Sequence, residues 1–121
     1  MMEMRIVFLG IALCFAAFAG ASIQLHGASS QAKAGEAVEI TRGQALFSER
    51  CAICHYDQST AQKMGPGLKG IYTRGKFADG KKVDDASMKL WIENGGKDMP
   101  GLKDVLKPEQ IRVLVSYLKT L

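Results

Sequence analysis

Cys51-Ala52-Ile53-Cys54-His55 is the most informative segment of this 121-residue chain. Two cysteines three positions apart on a helical turn face the same way, and a histidine follows the second one directly. This spacing is the attachment pattern of a c-type haem, in which both thiols form thioethers with the vinyl groups on one edge of the porphyrin. The adjacent His55 then lies beneath the iron as the proximal ligand.

Three other interpretations of this cysteine pair are weaker. A thioredoxin-like dithiol needs a βαβ pattern around the motif, and the sequence has none. A zinc site needs a second pair of cysteines, whereas the only other cysteine is Cys14, in an apolar segment. A structural disulfide is the third alternative, but export would place the chain where haem attachment occurs. We therefore expect one haem c, attached to Cys51 and Cys54.

The N-terminus has the features of an export signal. Arg5 precedes an apolar run, and Ala19-Gly20-Ala21 offers a small-residue cleavage site, so residues 1–21 predict a signal peptide and a periplasmic protein. Residues 6–25 are also long enough to remain as an anchor on the periplasmic face of the inner membrane. Residues 22–38 are rich in Gln, Ala, Ser and Gly without an apolar period, which predicts a flexible leader.

Residues 39–121 predict an all-α domain with about three main helices. The first opens at Thr41, where Thr41 and Gln44 fit a capping box. The second has Asp84 as its N-cap and ends at Asn94-Gly95. The third begins at Pro108 and has the clearest amphipathic spacing in the chain.

The segment from Asp57 to Val83 predicts a long loop with at most a turn or two of helix. Its glycines, Pro66 and the Asp79-Gly80 turn pair all disfavour a longer regular element. Such a loop in a small domain needs something to enclose, and a domain of this size has too small a core to be stable without help. A covalently bound haem would meet both needs.

Residues 40–121 resemble a bacterial class I cytochrome c of the short, monohaem kind. The resemblance runs in order through Gly43, Phe47, the 51–55 motif, Gly65-Pro66, Met99-Pro100 and Tyr117. It implies an all-α fold in which the first and last helices cross, with Gly43 letting Tyr117 or its neighbours approach closely. It also implies a one-electron carrier in a periplasmic respiratory chain rather than an enzyme.

The resemblance also implies the residues around the haem. Met99 matches the family's Met-Pro position and is the predicted sixth iron ligand; Met64 and Met88 are the alternatives, although packing is the commoner role of such methionines. Pro66 matches the residue whose carbonyl accepts the Nδ1 proton of His55, with a plain turn as the alternative.

Arg74 and Trp91 are weaker candidates for the haem environment. The family often places a basic residue near the propionates at the position of Arg74, but an ordinary solvated arginine fits the sequence nearly as well. Trp91 is predicted to pack on the haem or to donate a hydrogen bond to a propionate, and a plain core tryptophan is an equal alternative.

The charge of the chain suggests its partners. The formal net charge is +4, and removal of residues 1–21 leaves it unchanged because Glu3 and Arg5 are lost together. Four lysines fall in segments expected around the haem edge, and they predict docking to acidic patches on redox proteins, with a merely lysine-rich surface as the alternative. These are Lys63, Lys69, Lys97 and Lys103.

Candidate partners are a cytochrome bc1-type complex, a terminal oxidase or a periplasmic dehydrogenase, with the chain itself a monomer. Export and the lack of an aromatic-basic motif argue against nucleic-acid binding. Two other functions stay open. The chain is an anchored haem subunit of a larger oxidoreductase if residues 6–25 are retained, or a haem peroxidase or sensor if the Met99 ligand is labile.

Overall fold

A computed structural model of the chain describes residues 27–121, which form four helices: α1 (Gly27–Arg50), α2 (Ile71–Arg74), α3 (Asp85–Asn94) and α4 (Pro108–Leu118). Within this range there is no β-strand, only an isolated antiparallel bridge between Lys76 and Lys82 around the Asp79-Gly80 turn. The predicted all-α class is confirmed. The predicted signal peptide or anchor lies outside the described residues, and no helix in residues 27–121 is both long and apolar enough to cross a membrane.

Helix α1 begins earlier than predicted. Thr41 lies in mid-helix, where its hydroxyl donates to the carbonyl of Ala37 at 2.9 Å, so the capping box expected at Thr41 is wrong. Residues 27–38, expected to be part of an irregular leader, are helical instead. Ala, Gln, Lys and Glu have high helix propensity, which lets the helix extend backwards although its side chains from residue 30 to 38 are exposed.

Helices α3 and α4 lie where their caps predicted them. The Asp84 carboxylate accepts from the Ser87 amide at 2.9 Å, and the Ser87 hydroxyl accepts from the Asp84 amide at 2.8 Å, which is a complete capping box. Helix α3 ends at Gly95, whose φ of 71° favours glycine. At the start of α4 the Lys107 amide donates to the side chain of Gln110 at 2.9 Å, and Pro108 is the first helical residue.

The core forms where α1 crosses α4. Phe47 of α1 and Tyr117 of α4 are buried, with ring centroids 5.7 Å apart. Gly43 lies one turn earlier, where a Cβ atom would be 2.7 Å from Tyr117 Cβ, 2.9 Å from the carbonyl carbon of Val113 and closer still to its oxygen. The two backbones therefore meet at Gly43, which confirms the close approach that the resemblance implied.

A hydrogen bond ties the long loop to α4. The Tyr117 hydroxyl donates to Asp57 Oδ2 at 2.6 Å, and the Gln58 amide donates to Asp57 Oδ1 at 2.8 Å. The bond from Tyr117 lowers the pKa of Asp57 more than partial burial raises it. Asp57 follows His55 by two residues, so this contact attaches the segment just after the 51–55 motif to the helical core.

Replacing Gly43 by Ala should destabilise the protein by about 2 kcal/mol, because the added methyl group overlaps backbone atoms of α4 that cannot move alone. Gly35→Ala is a matched control on the same helix. Nothing lies within 4 Å of a Cβ at Gly35, so this change should raise stability by up to about 1 kcal/mol. Urea unfolding of the haem-loaded proteins measures both; equal effects of the two substitutions would contradict the close packing.

Replacing Tyr117 by Phe should cost about 1 kcal/mol at neutral pH, because Asp57 loses a charge-assisted hydrogen bond. Since the folded state lowers the pKa of Asp57, this stabilisation is present above the ordinary pKa of the carboxyl group and is lost as pH falls through the folded value. Unfolding free energies of the two proteins should therefore converge in acid. A difference that stays constant from neutral pH down to about pH 3 would assign it to packing instead.

Candidate haem site

The 51–55 motif continues directly from α1. The Cys51 amide donates to the carbonyl of Phe47 at 2.8 Å, and the amides of Cys54 and His55 donate to the carbonyl of Cys51 at 3.0 and 2.9 Å. The helical turn predicted for the two cysteines is therefore present. Because Phe47 belongs to the α1–α4 core, the motif is attached directly to that core.

Both motif cysteines are free thiols and half-buried. Burial, and to a lesser extent the charge of Cys54, raises the pKa of Cys51 to about 11. A catalytic dithiol needs a thiolate at neutral pH, so this environment argues against thioredoxin-like chemistry. Nor do residues 27–121 bring together three or more His, Cys, Asp or Glu side chains as a metal-ion site.

His55 is oriented by the loop that follows it. Its Nδ1 lies 2.8 Å from the carbonyl oxygen of Pro66. That oxygen can only accept, so Nδ1 carries the proton and Nε2 presents a lone pair. A histidine with one nitrogen bonded to a carbonyl and the other free is typical of an axial metal ligand, so the residues fit a haem.

Gly65 is a site residue that the sequence did not reveal beyond its place before Pro66. A Cβ at this position would lie 2.8 Å from His55 Nδ1 and 2.9 Å from Nε2. The glycine backbone therefore packs flat against the imidazole ring and fixes its plane. Only the order of a small residue followed by proline hinted at such a contact.

Arg74 donates hydrogen bonds to the backbone of the same loop. Its guanidinium donates to the carbonyl of Lys69 and, at 3.0 Å, to that of Gly67. Gly67 is buried, and a Cβ there would lie 2.6 Å from the carbonyl oxygen of Ala61. Arg74 is thus exposed, and its guanidinium is bonded to the residue after Pro66. Contact with a haem propionate stays a prediction.

Trp91 and Met99 lie on α3 and on the loop that follows it. The Trp91 ring stacks on Phe77 with centroids 5.0 Å apart and 13° between the planes, and it is half-buried. Met99 is also half-buried, and its carbonyl accepts from the Gly96 amide at 2.9 Å. The loop then returns to α3, because the Leu102 amide donates to the carbonyl of Ile92 at 3.0 Å.

The two alternative methionines have different surroundings. Met88 is buried in the core among α3 and α4 residues, as its place on the apolar face of α3 predicted. Met64 is exposed, and its Sδ lies 3.8 Å from Cys54 Sγ. The structure therefore brings together Cys51, Cys54, His55 and Pro66, while the roles of Arg74, Trp91 and Met99 toward a haem stay predictions.

Comparison with known proteins gives the family. The family model described as cytochrome c matches residues 40–121. A cytochrome c of Chlamydomonas reinhardtii is 33% identical, and the match covers 74% of this chain and 93% of that protein. A cytochrome c of Euglena viridis is 29% identical, covering 69% of this chain and 97% of its own length. Cytochrome c2 iso-1 of Magnetospirillum fulvum is 27% identical, covering 59% and 90%.

The matched range contains the helical crossing, the 51–55 motif, Pro66 and Met99. The matching relatives come from both bacteria and eukaryotes. The chain therefore belongs to the cytochrome c family: it is a monohaem electron-transfer protein, not an enzyme, and it carries one covalently attached haem c.

Proposed function

We propose that the chain carries single electrons between redox proteins in the periplasm, with His55 and Met99 as the two axial ligands of its haem iron. The observation that carries the proposal is the 2.8 Å contact between His55 Nδ1 and Pro66 O, because it leaves Nε2 as the coordinating atom. When bound, the haem supplies a reversible one-electron couple. The protein supplies the attachment, the ligands and the docking surface.

Each motif residue has a separate task. Cys51 and Cys54 hold the porphyrin edge. Backbone hydrogen bonds join the helical turn that contains them to the end of α1. The carbonyl of Pro66 accepts the Nδ1 proton of His55, which keeps the ring from rotating and leaves Nε2 for the iron. Gly65 limits the tilt of the same ring.

Met99 is the sixth ligand that the surroundings favour. Met88 is buried in the core. To reach a metal it would have to leave the core, which would cost about 2–5 kcal/mol. Met64 lies against Cys54, next to the proximal motif. Met99 lies on a separate loop that Gly96 and Leu102 hold against α3. Two protein ligands leave no iron position for a substrate, as an electron carrier requires.

The proposed partners have acidic docking surfaces, as in a bc1-type complex, a terminal oxidase or a periplasmic dehydrogenase. The four lysines predicted near the haem edge are all exposed. Lys63 is also held in place, because its ammonium donates to the carbonyl of Ala52 at 2.6 Å. Fixed and exposed positive charge accelerates encounter with an acidic partner more than it strengthens the complex.

Replacing Met99 by Ala should convert a low-spin haem that binds carbon monoxide slowly into one that binds it rapidly, with a lower reduction potential and higher peroxidase activity. Optical spectra and redox titration of the purified protein measure the change. Met88→Leu and Met64→Leu are the controls and should leave the spectrum nearly unchanged. If Met64→Leu abolishes the wild-type spectrum and Met99→Ala does not, the ligand assignment is wrong; a high-spin wild type would favour a peroxidase or sensor.

Electron transfer to an acidic partner, such as the soluble CuA domain of a bacterial oxidase, should slow as salt increases, since exposed charges are screened beyond about 8 Å at physiological ionic strength. Stopped-flow rates over a salt series measure the slope. Lys63→Gln and Lys97→Gln should flatten it, whereas Lys33→Gln, on the exposed part of α1, should not. A slope that responds equally to all three substitutions would indicate net charge rather than a docking site.

A further inference from the structure

The segment that follows α3 is a closed loop, although it contains no regular secondary structure. It covers residues 95–102 and is called the 95–102 loop below. At its start the Gly95 amide donates to the carbonyl of Trp91 at 2.8 Å, and at its end the Leu102 amide donates to the carbonyl of Ile92 at 3.0 Å. Both ends of the loop are therefore bonded to the last turn of the same helix.

Two glycines let the ends of the loop lie directly on backbone. A Cβ at Gly101 would be 2.7 Å from the carbonyl oxygen of Glu93 and 2.9 Å from the carbonyl carbon of Asn94. A Cβ at Gly95 would be 2.6 Å from the amide nitrogen of Gly101, and the φ of 71° at Gly95 itself favours glycine. The last turn of α3 and the returning loop are thus in backbone contact, as α1 and α4 are at Gly43.

The interior of the loop is also fixed at Met99. The Gly96 amide donates to the carbonyl of Met99 at 2.9 Å, which ties the two sides of the loop together. Gly96 lies against the Trp91 ring, because a Cβ there would be 2.8 Å from Cζ2 of the tryptophan. The same ring stacks on Phe77 with centroids 5.0 Å apart, so the support of the loop extends to the segment before α3.

We propose that Gly101 is a positioning residue for the sixth iron ligand: its backbone contact with α3 keeps the 95–102 loop closed and so limits how often Met99 leaves the iron. This inference rests on the proposed function, in which Met99 is that ligand. It adds that the closed loop, and not the metal–sulfur bond alone, sets the rate at which another molecule replaces the thioether. A thioether is uncharged and a weak acceptor, so the position of its sulfur depends on the backbone that carries it.

The loop must open before another molecule can take the sixth position. An external ligand binds only while Met99 is off the iron, so its binding rate is proportional to the population of that open state. Opening separates the backbone contact at Gly101 and breaks the hydrogen bond from Leu102 to Ile92. The open state is therefore rare to the extent that these contacts are strong.

The test adds one methyl group at the contact. Gly101→Ala places a Cβ against backbone atoms of Glu93 and Asn94, which cannot move alone, so the closed loop is destabilised. The rate of carbon monoxide binding to the reduced protein should rise about tenfold, while the oxidised protein stays mostly low-spin at neutral pH. Stopped-flow mixing measures the rate, and the optical spectrum reports the spin state.

Two glycine substitutions outside the loop are matched controls. Gly43→Ala also adds a methyl group against backbone, at the contact of α1 with α4, and lowers the stability of the domain without touching the 95–102 loop. Gly35→Ala meets nothing within 4 Å. Both variants should bind carbon monoxide at the wild-type rate, because opening of the loop is local and does not require global unfolding.

A measurement on the wild type tests the inference even if Gly101→Ala does not fold. Amide hydrogen exchange of the haem-loaded protein should be slow at Gly96 and Leu102, whose amides are hydrogen-bonded in the closed loop. Exchange should be fast at Lys97 and Asp98, which are exposed and whose amides have no acceptor in the part of the chain that the structure describes. Where Gly101→Ala does fold, it should speed exchange at Leu102.

The failure of the inference and that of the proposed function give different results. Equal carbon monoxide rates for Gly101→Ala and the wild type, or an equal rise in Gly43→Ala, would overturn the inference and leave the proposed function intact. Fast exchange at Leu102 in the wild type would do the same. A high-spin wild type, or a Met99→Ala spectrum identical to that of the wild type, would refute the proposed ligation and the inference with it.

Discussion

The close contact of α1 with α4 at Gly43 is the constraint on which the rest of the domain depends. Because the two backbones touch there, the tilted rings of Phe47 and Tyr117 can pack against each other and close the core. The 51–55 motif follows Phe47 with an unbroken series of backbone hydrogen bonds, so its position is set by the same crossing. Tyr117 contributes twice, since its ring fills the core while its hydroxyl holds Asp57 and the start of the long loop.

The long loop sets the orientation of the His55 ring relative to this core. It leaves the motif at Asp57, returns past His55 at Gly65 and Pro66, and is held from behind by Arg74. Glycine is required at Gly65 and Gly67 because ring atoms and carbonyl oxygens occupy the space that a side chain would need. Outside α2 this loop has no regular structure, and contacts to its backbone at Gly65, Pro66 and Gly67 hold it in place.

Local signals in the sequence were enough to predict some elements and not others. Asp84 with Ser87 caps α3, and Lys107 with Gln110 caps α4 just before Pro108, so neighbouring residues made the starts of both helices predictable. Thr41 shows the opposite case, because a capping pattern was present but the preceding residues also favour helix and extended α1 to Gly27. The partner of His55 was implied by family resemblance. The contacts of Gly65 with His55, of Arg74 with Gly67 and of Met64 with Cys54 join residues seven to ten positions apart in a loop, and no periodicity encodes them.

The environment of Cys51 bears on the order of events when the protein is made. Burial raises the pKa of Cys51 to about 11, so the folded chain holds this thiol mainly in its protonated form at neutral pH. Thioether formation on such a chain would be slow, because the sulfur is both protonated and partly covered. Attachment is therefore favoured on a chain that is still open, with α1 and α4 closing over a sulfur that has already reacted.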